Sequence, residues 1–263
     1  GGGRVADPPG EAAGLRASPS PESPGAAIRR GLGRVGPSVV RVFFGEGEMI
    51  TGTIISEGGL VLTAAHVPVA VGGAVEIGLA DGRKVGAAVI SKLPGEGESN
   101  LGKDLALIQI KEGGSWPVVE LAEAAPTGME EPLLAMGYPD TGLYGEDRST
   151  HPLYVRLGRI SRDPYQLREQ LTTSIPGTGG DSGGPLFDLA GRVVGVVHAG
   201  DTSGAHLNYT KIEALRRGWE RLAPGKEMPK SAGGERGDVA PMSVVAEAAR
   251  RVRGSVVEVC GEA

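Results

Sequence analysis

The chain has 263 residues, enough for one large all-β domain or two small ones, and its 45 glycines and 19 prolines lie among apolar runs that can still form a core. The formal net charge is −5 and no cluster of lysine and arginine stands out, which argues against a nucleic-acid groove or a polybasic membrane anchor. The sequence also contains no run of about 18 apolar residues, the length needed to span a bilayer. The single cysteine, Cys260, excludes an intramolecular disulfide framework and a multi-cysteine metal site.

The N-terminal residues 1–25 have the composition of a disordered leader or linker. They are rich in Gly, Pro, Ala and Ser, so burial of large apolar side chains cannot offset the entropy lost on ordering. The chain begins at Gly1 with neither a methionine nor an apolar signal segment, which leaves removal of an export signal or origin in a longer protein as interpretations. A short helical pattern follows over Ala26–Arg34 and is predicted to stop at Gly36-Pro37.

From Ser38 onward, short β-type runs alternate with turn residues such as Asp81-Gly82. This spacing predicts an antiparallel sandwich or barrel rather than βαβ units. The predicted strands are Ser38–Phe44, Gly52–Ile55, Leu60–Thr63, Ala74–Leu79, Lys84–Ile90, Leu105–Ile110, Pro132–Met136, Tyr154–Ile160, Pro185–Phe187 and Arg192–His198.

The C-terminal part contains one predicted helix and a short repeat. Lys211–Leu222 has apolar residues at helical spacing and is predicted to be a closing helix, so that residues 26–223 form one domain. Residues 224–241 have the composition of a linker. Residues 251–259 match residues 34–42 at six of nine positions. Chance can produce so short a match, but the match favours the interpretation that residues 242–263 are the start of a second copy of the domain.

Three segments carry residues suited to nucleophilic catalysis. A serine hydroxyl is a weak nucleophile, so it needs a neighbouring base whose pKa lies near neutrality, which is histidine. A carboxylate can then hold the imidazole in the useful tautomer. The segments are LVLTAAHV with His66, KDLALIQI with Asp104, and GGDSGGPL with Ser182. Each residue alone would be explained by a turn or a core position, but together they stand in the order His, Asp, Ser, which is that of a chymotrypsin-type triad.

Through TAAH, DLAL and GDSGGPL in this order, the chain resembles the trypsin-like serine proteases of the chymotrypsin fold, and among them the bacterial HtrA/Deg branch. The resemblance covers roughly residues 27–222, with further support from PSVV, VVGVVHAG and YTKIEAL. It implies an all-β fold of two packed six-stranded antiparallel β-barrels, with a short N-terminal and a C-terminal helix. His66 and Asp104 would come from the first barrel and Ser182 from the second.

The resemblance also implies the chemistry. Ser182 would be the nucleophile, His66 the general base and acid, and Asp104 the residue that orients the imidazole, while the N–H groups of Gly180 and Ser182 would form the oxyanion hole. The expected partners are protein or peptide substrates, with no nucleic acid, and no metal or cofactor is implied. The expected location is the periplasm, the cell envelope or the exterior.

The specificity pocket can be bounded by the same resemblance. No acid stands in the segment LTTSIPGTGG before the serine, so a preference for small or medium apolar P1 side chains is expected. Of the other histidines, His151 and His206 are expected to be structural, as is His198, although its position should line the cleft. The residues expected around the pocket are Pro176, His198, Ala199, Gly200 and Leu207.

Two points remain open in the sequence. In the digestive members a newly cut N-terminus pairs with the acid before the serine, but no Ile-Val-Gly-Gly-like start precedes Ser38, so Asp181 needs another partner.

An alternative function is a protease-fold binding or regulatory module, whose glycine-rich loop 177–181 would be collapsed until a partner assembles the site. GDSGG also fits an α/β-hydrolase elbow with Asp201 and His206, but that fold requires a helix directly after Ser182, where Gly-Gly-Pro stands.

Overall fold

The computed structural model describes residues 32–93, 103–129, 131–143, 147–162, 169–201, 203–229 and 258–260. The predicted leader, most of the linker 224–241 and most of residues 242–263 lie outside these ranges. Of the predicted N-terminal helix, residues 32–35 are described and helical. A 3₁₀ turn over Gly36–Ser38 continues from it, so Gly36-Pro37 ends the α-helix without ending the helical path, since proline is tolerated in a first turn.

Six antiparallel strands close the first barrel in the order β1-β2-β3-β6-β5-β4. Residues that alternate inward and outward along each strand fill its interior and cover its outer face. The strands are β1 (Val39–Phe44), β2 (Glu48–Ile54), β3 (Leu60–Thr63), β4 (Ala74–Gly78), β5 (Lys84–Leu93) and β6 (Leu105–Ile110).

The second sheet has the order β10-β13-β12-β11-β8-β9-β14, and β7 pairs with β12 in parallel. A single bridge between Ile160 and Thr173 joins the end of β9 to β10, so this barrel is closed far less completely than the first. The expected two-barrel, all-β fold is confirmed. The strands are β7 (Glu120–Leu121), β8 (Pro132–Gly137), β9 (Tyr154–Arg159), β10 (Gln170–Thr172), β11 (Pro185–Phe187), β12 (Arg192–Gly200), β13 (Leu207–Lys211) and β14 (Glu258–Cys260).

The C-terminal strand β14 pairs antiparallel with β9, with Glu258 opposite Arg156 and Cys260 opposite Tyr154. The backbone of this segment therefore docks on the sheet of the domain that precedes it. That it begins a second copy of the domain stays a prediction.

The two barrels pack against each other through strands that are apolar on both faces. In β6, Ile108 and Ile110 belong to the core inside the first barrel, whereas Leu105 and Leu107 belong to a larger core shared with the second sheet. The predicted closing helix is α1 (Ile212–Leu222), and it contacts strands of both barrels. Within the described ranges, no helix has the length and apolar character needed to cross a membrane.

Candidate active site

His66 and Asp104 meet because β3 and β6 are antiparallel neighbours. The register places Thr63 at the end of β3 opposite Ala106 near the start of β6. The chain leaving β3 therefore passes the chain entering β6, and the backbone N–H of His66 donates to Oδ1 of Asp104 at 2.8 Å. This pair is fixed by the pairing of the first barrel alone.

A hydrogen-bonded chain links Asp104, His66 and Ser182. Nδ1 of His66 lies 2.5 Å from Oδ2 of Asp104, and Nε2 lies 3.0 Å from Oγ of Ser182. An ionised carboxylate only accepts, so Nδ1 carries the ring proton and Nε2 accepts the hydroxyl proton of Ser182. Asp104 is buried, whereas the His66 side chain is 38% exposed and accessible to a reactant. The arrangement can remove the proton of Ser182 and store it on His66.

A second histidine lies against the same carboxylate. Burial by itself would raise the pKa of Asp104, but the nearby side chain of His198 and the ring and backbone N–H groups of His66 outweigh it, so the pKa lies well below its ordinary value. Nδ1 of His198 is 3.7 Å from Oδ2 of Asp104. The amide of Gln170 donates to Nε2 of His198 at 3.0 Å, which leaves the ring proton on Nδ1, facing Asp104. The ring of His198 thus lies between Asp104 and Gln170, and its contact with Asp104 was not predicted.

The backbone around Ser182 is held by both barrels. Its carbonyl accepts from Thr51 N–H of β2 at 2.9 Å, and the next N–H, of Gly183, donates to Val197 of β12 at 2.8 Å. Gly183 has φ +80°, and a Cβ there would lie 2.1 Å from Oγ1 of Thr63. Only glycine fits this position, which explains the residue after the serine in GDSGG.

The loop before Ser182 presents an unoccupied donor. The carbonyl of Gly179 accepts from Asp140 N–H at 2.6 Å, and since a trans peptide points its N–H opposite to its C=O, Gly180 N–H is directed away from Asp140. The carbonyl of Gly180 accepts from Oγ1 of Thr51 at 2.8 Å. Neither Gly180 N–H nor Ser182 N–H donates to an acceptor among the described residues. Both remain available to an oxyanion.

Asp181 has a partner that the sequence left unidentified. The guanidinium of Arg156 on β9 binds both of its oxygens, with Nη1 2.9 Å from Oδ2 and Nη2 bound to Oδ1. The two side chains are 5% and 1% exposed. The sequence shows Arg156 among apolar residues of a predicted strand that also contains Arg159, but nothing in the spacing connects either arginine to Asp181.

The predicted pocket residues lie on neighbouring elements. Gly200 of β12 is paired with Leu207 of β13, and Ala199 is paired with the next residue of that strand. The side chain of Leu207 covers Gly177, where an added Cβ would lie 2.1 Å from Cδ2 of Leu207. The carbonyl of Pro176 accepts from Nη1 of Arg156 at 2.7 Å.

The remaining histidines lie apart from this constellation. His151 is fully buried, and Nδ1 of His206 is 2.8 Å from the carbonyl of Thr173. In the part of the chain that the structure describes, no group of three or more His, Cys, Asp or Glu residues is arranged to hold a metal ion.

Comparison with known proteins points the same way. A family model for the trypsin-like peptidase domain matches residues 50–196, a range that contains His66, Asp104 and Ser182. The mitochondrial serine protease HTRA2 of Drosophila pseudoobscura is 31% identical over 184 residues, 66% of this chain and 40% of that protein. A DegP-like periplasmic serine endoprotease of Pseudomonas putida is 34% identical over 148 residues, 56% of this chain and 28% of that protein.

Among solved structures, a serine endoprotease from Yersinia pestis matches with a TM-score of 0.58 and 23% identity, over 77% of this chain and 67% of that one. This likeness concerns the fold. The chain spans about two fifths or less of the length of these two curated relatives.

Proposed function

The chain belongs to the trypsin-like peptidase family, and on that premise we propose that it is a serine endopeptidase. The observation that carries the proposal is the chain of hydrogen bonds from Asp104 through His66 to the hydroxyl of Ser182. The hydroxyl of Ser182 is a weak nucleophile, and it contacts His66, which can act as its base. The buried carboxylate of Asp104 fixes the tautomer of His66.

In the proposed reaction, Oγ of Ser182 attacks the carbonyl carbon of a peptide bond while its proton passes to Nε2 of His66. Collapse of the tetrahedral intermediate breaks the C–N bond, and His66 delivers that proton to the departing amine. A water molecule then attacks the acyl-enzyme, giving a proton to His66, and the ester bond to Ser182 breaks with return of the proton to Oγ. Asp104 stays ionised throughout and stabilises the imidazolium.

The N–H groups of Gly180 and Ser182 are the proposed oxyanion donors. Support comes from the Gly179–Gly180 peptide, whose carbonyl is committed to Asp140 and whose N–H has no acceptor among the described residues. One such donor contributes about 10²–10³ in rate. A binding module with a collapsed loop 177–181 would need this N–H turned away or occupied, and no observation favours that alternative.

For the substrate we propose a small or medium apolar P1 residue, held by Pro176, Leu207 and the backbone of β12 at His198–Gly200. Leu207 is buried and covers Gly177, so it limits the depth of a pocket in this loop. The carboxylate of this loop, Asp181, is committed to Arg156 and offers no counter-charge to a lysine or arginine side chain.

Location and larger organisation also remain proposals. Export would agree with the DegP-like relative, which is named periplasmic, but the HTRA2 relative is named mitochondrial. Since the chain spans only part of its relatives, a longer protein with a second protease-like domain beyond residue 263 is compatible with these matches.

Labelling with a fluorophosphonate probe tests the proposed function. Wild-type protein should be labelled at Ser182, and Ser182→Ala and His66→Ala should each abolish labelling. The matched controls are Ser203→Ala, at an exposed serine, and His206→Ala, which should both be labelled at the wild-type rate. Folded wild type that neither reacts with the probe nor cleaves an unfolded protein substrate would contradict the proposal.

A further inference from the structure

The buried ion pair between Arg156 and Asp181 is placed to control the loop that carries the oxyanion donor. Arg156 lies in β9, 26 positions before the nucleophile, and touches neither Ser182 nor His66 in any contact that the structure gives. Its side chain is 5% exposed and that of Asp181 is 1% exposed, so the pair is shielded from solvent.

The pair holds the loop at both ends. Nη1 of Arg156 donates to the carbonyl of Pro176 at 2.7 Å as well as to Oδ2 of Asp181 at 2.9 Å. The same Oδ2 accepts from the N–H of Thr178 at 3.0 Å. One guanidinium thus fixes the residue that enters the loop and the residue that leaves it, relative to a strand of the sheet.

The loop needs such support because its own sequence gives it little. Gly177, Gly179 and Gly180 place few restrictions on the backbone, and Gly180 adopts φ +86°, where a Cβ would lie 2.4 Å from the carbonyl of Tyr138. Without fixed ends, a segment of this composition has many conformations that turn Gly180 N–H elsewhere. The orientation of that donor therefore depends on external contacts.

We propose that Arg156 is a positioning residue for the oxyanion hole, acting through Asp181 to hold Gly180 N–H in its reactive orientation. The proposal rests on the proposed function and adds the residue that keeps the oxyanion donor in its orientation. Because both oxygens of Asp181 are occupied by Arg156 and Thr178, the carboxylate has no need of a chain N-terminus to organise the loop. The site is then assembled by folding alone.

The competing explanation is that the ion pair is merely structural. Breaking one half of a buried pair is strongly destabilising, whereas replacing both halves by neutral groups is often tolerated. The double variant Arg156→Met/Asp181→Asn therefore separates the two explanations. It leaves no uncompensated buried charge but removes the guanidinium from Pro176 and Asp181.

The experiment measures kcat and KM on a peptide substrate, inhibition by a peptide boronic acid, and the thermal unfolding midpoint. The variants are Arg156→Met, Arg156→Lys and the double variant. The control is Arg192→Met, since Arg192 forms a partly exposed ion pair with Asp188 at the turn between β11 and β12. A boronic acid forms a tetrahedral adduct with the serine, so its affinity reports the oxyanion site more directly than KM does.

A positioning role predicts that the folded double variant loses about 10²–10³ in kcat, the loss expected for one oxyanion donor, with a parallel loss of boronic acid affinity and a much smaller change in KM. Arg156→Lys should recover part of the activity, because an ammonium restores the charge but not the two-oxygen contact. Arg192→Met should resemble the wild type. If Arg156→Met does not fold, the double variant carries the test.

A folded double variant with wild-type kcat would overturn the proposal, as would a fall in kcat with unchanged boronic acid affinity. These results differ visibly from failure of the proposed function. If the proposed function fails, the wild type itself would neither cleave the substrate nor be labelled at Ser182, and the proposed role of Arg156 would also be refuted.

Discussion

Substitution of Gly183 by alanine tests the junction between the two barrels at the nucleophile. A Cβ at this position would lie 2.1 Å from Oγ1 of Thr63 and 2.2 Å from the carbonyl of Thr51. Both are buried, and they are hydrogen-bonded to each other at 2.8 Å, so neither can turn away alone. The methyl group must therefore displace the second barrel's loop from the first by about 1 Å to reach normal contact distances.

Gly82→Ala is a matched control, because Gly82 has φ +84° against +80° for Gly183, with no atom within 4 Å of its added Cβ. Alanine in this left-handed conformation costs about 1–2 kcal/mol, and Gly82→Ala should lose that amount alone. Gly183→Ala should lose a further 1–3 kcal/mol or so from overpacking. A displacement of about 1 Å between Ser182 and His66 should lower activity by about 10²-fold.

The assay is urea unfolding of both variants together with the rate of fluorophosphonate labelling. The expected result is that Gly82→Ala is moderately destabilised and labelled at the wild-type rate, whereas Gly183→Ala is less stable and labelled far more slowly. If Gly183→Ala unfolded at the same urea concentration as Gly82→Ala and reacted with the probe at the wild-type rate, the close packing around the nucleophile would be refuted.

Two further predictions concern the carboxylate and the pocket. Since the folded-state pKa of Asp104 is lowered, its ionised form stabilises the protein above the unfolded value of about 3.9, and this gain is lost as the pH falls through the folded pKa. Asp104→Asn should therefore lower the free energy of unfolding at pH 7 but progressively less below about pH 4; equal losses in urea titrations at both pH values would contradict this. Leu207→Ala should extend peptide-library cleavage to larger apolar P1 residues at a cost of about 2–5 kcal/mol in stability, whereas Leu133→Ala, at an equally buried leucine of β8, should lose stability without a change in specificity. An unchanged P1 profile in Leu207→Ala would remove Leu207 from the pocket.

Most of the fold could be predicted from apolar runs. Leu60–Thr63, Leu105–Ile110 and Pro185–Phe187 are predicted to the residue, because glycines or a charged residue stand directly before each of them. β10 (QLT) and β13 (LNYTK) were missed because they are short and polar at alternate positions, and they become strands only by pairing with each other and with β12. The weak closure of the second barrel follows from the same brevity of β10.

The candidate site also contains residues that local motifs predict and residues that only tertiary contacts bring there. His66, Asp104 and Ser182 stand in specific local motifs, and the structure brings these three side chains into contact. Arg156, Gln170 and Thr51 are in no motif, because their roles are contacts across 25 to 129 positions that only the packed barrels create. His198 shows the limit most clearly, since the sequence placed it near the cleft but could not show that its ring turns to Asp104.

The division of the triad between the barrels has a consequence for biosynthesis. All six strands of the first barrel, together with His66 and Asp104, are translated before Ser182. The serine reaches His66 only when its carbonyl has bonded to Thr51 of the first barrel and Gly183 has bonded to Val197 of the second. Under the proposed function, a nascent or half-folded chain lacks the contact between Ser182 and His66 and should be inert toward its neighbours and toward itself. If the proposed function holds, proteolytic activity is expected only after the tertiary structure is complete.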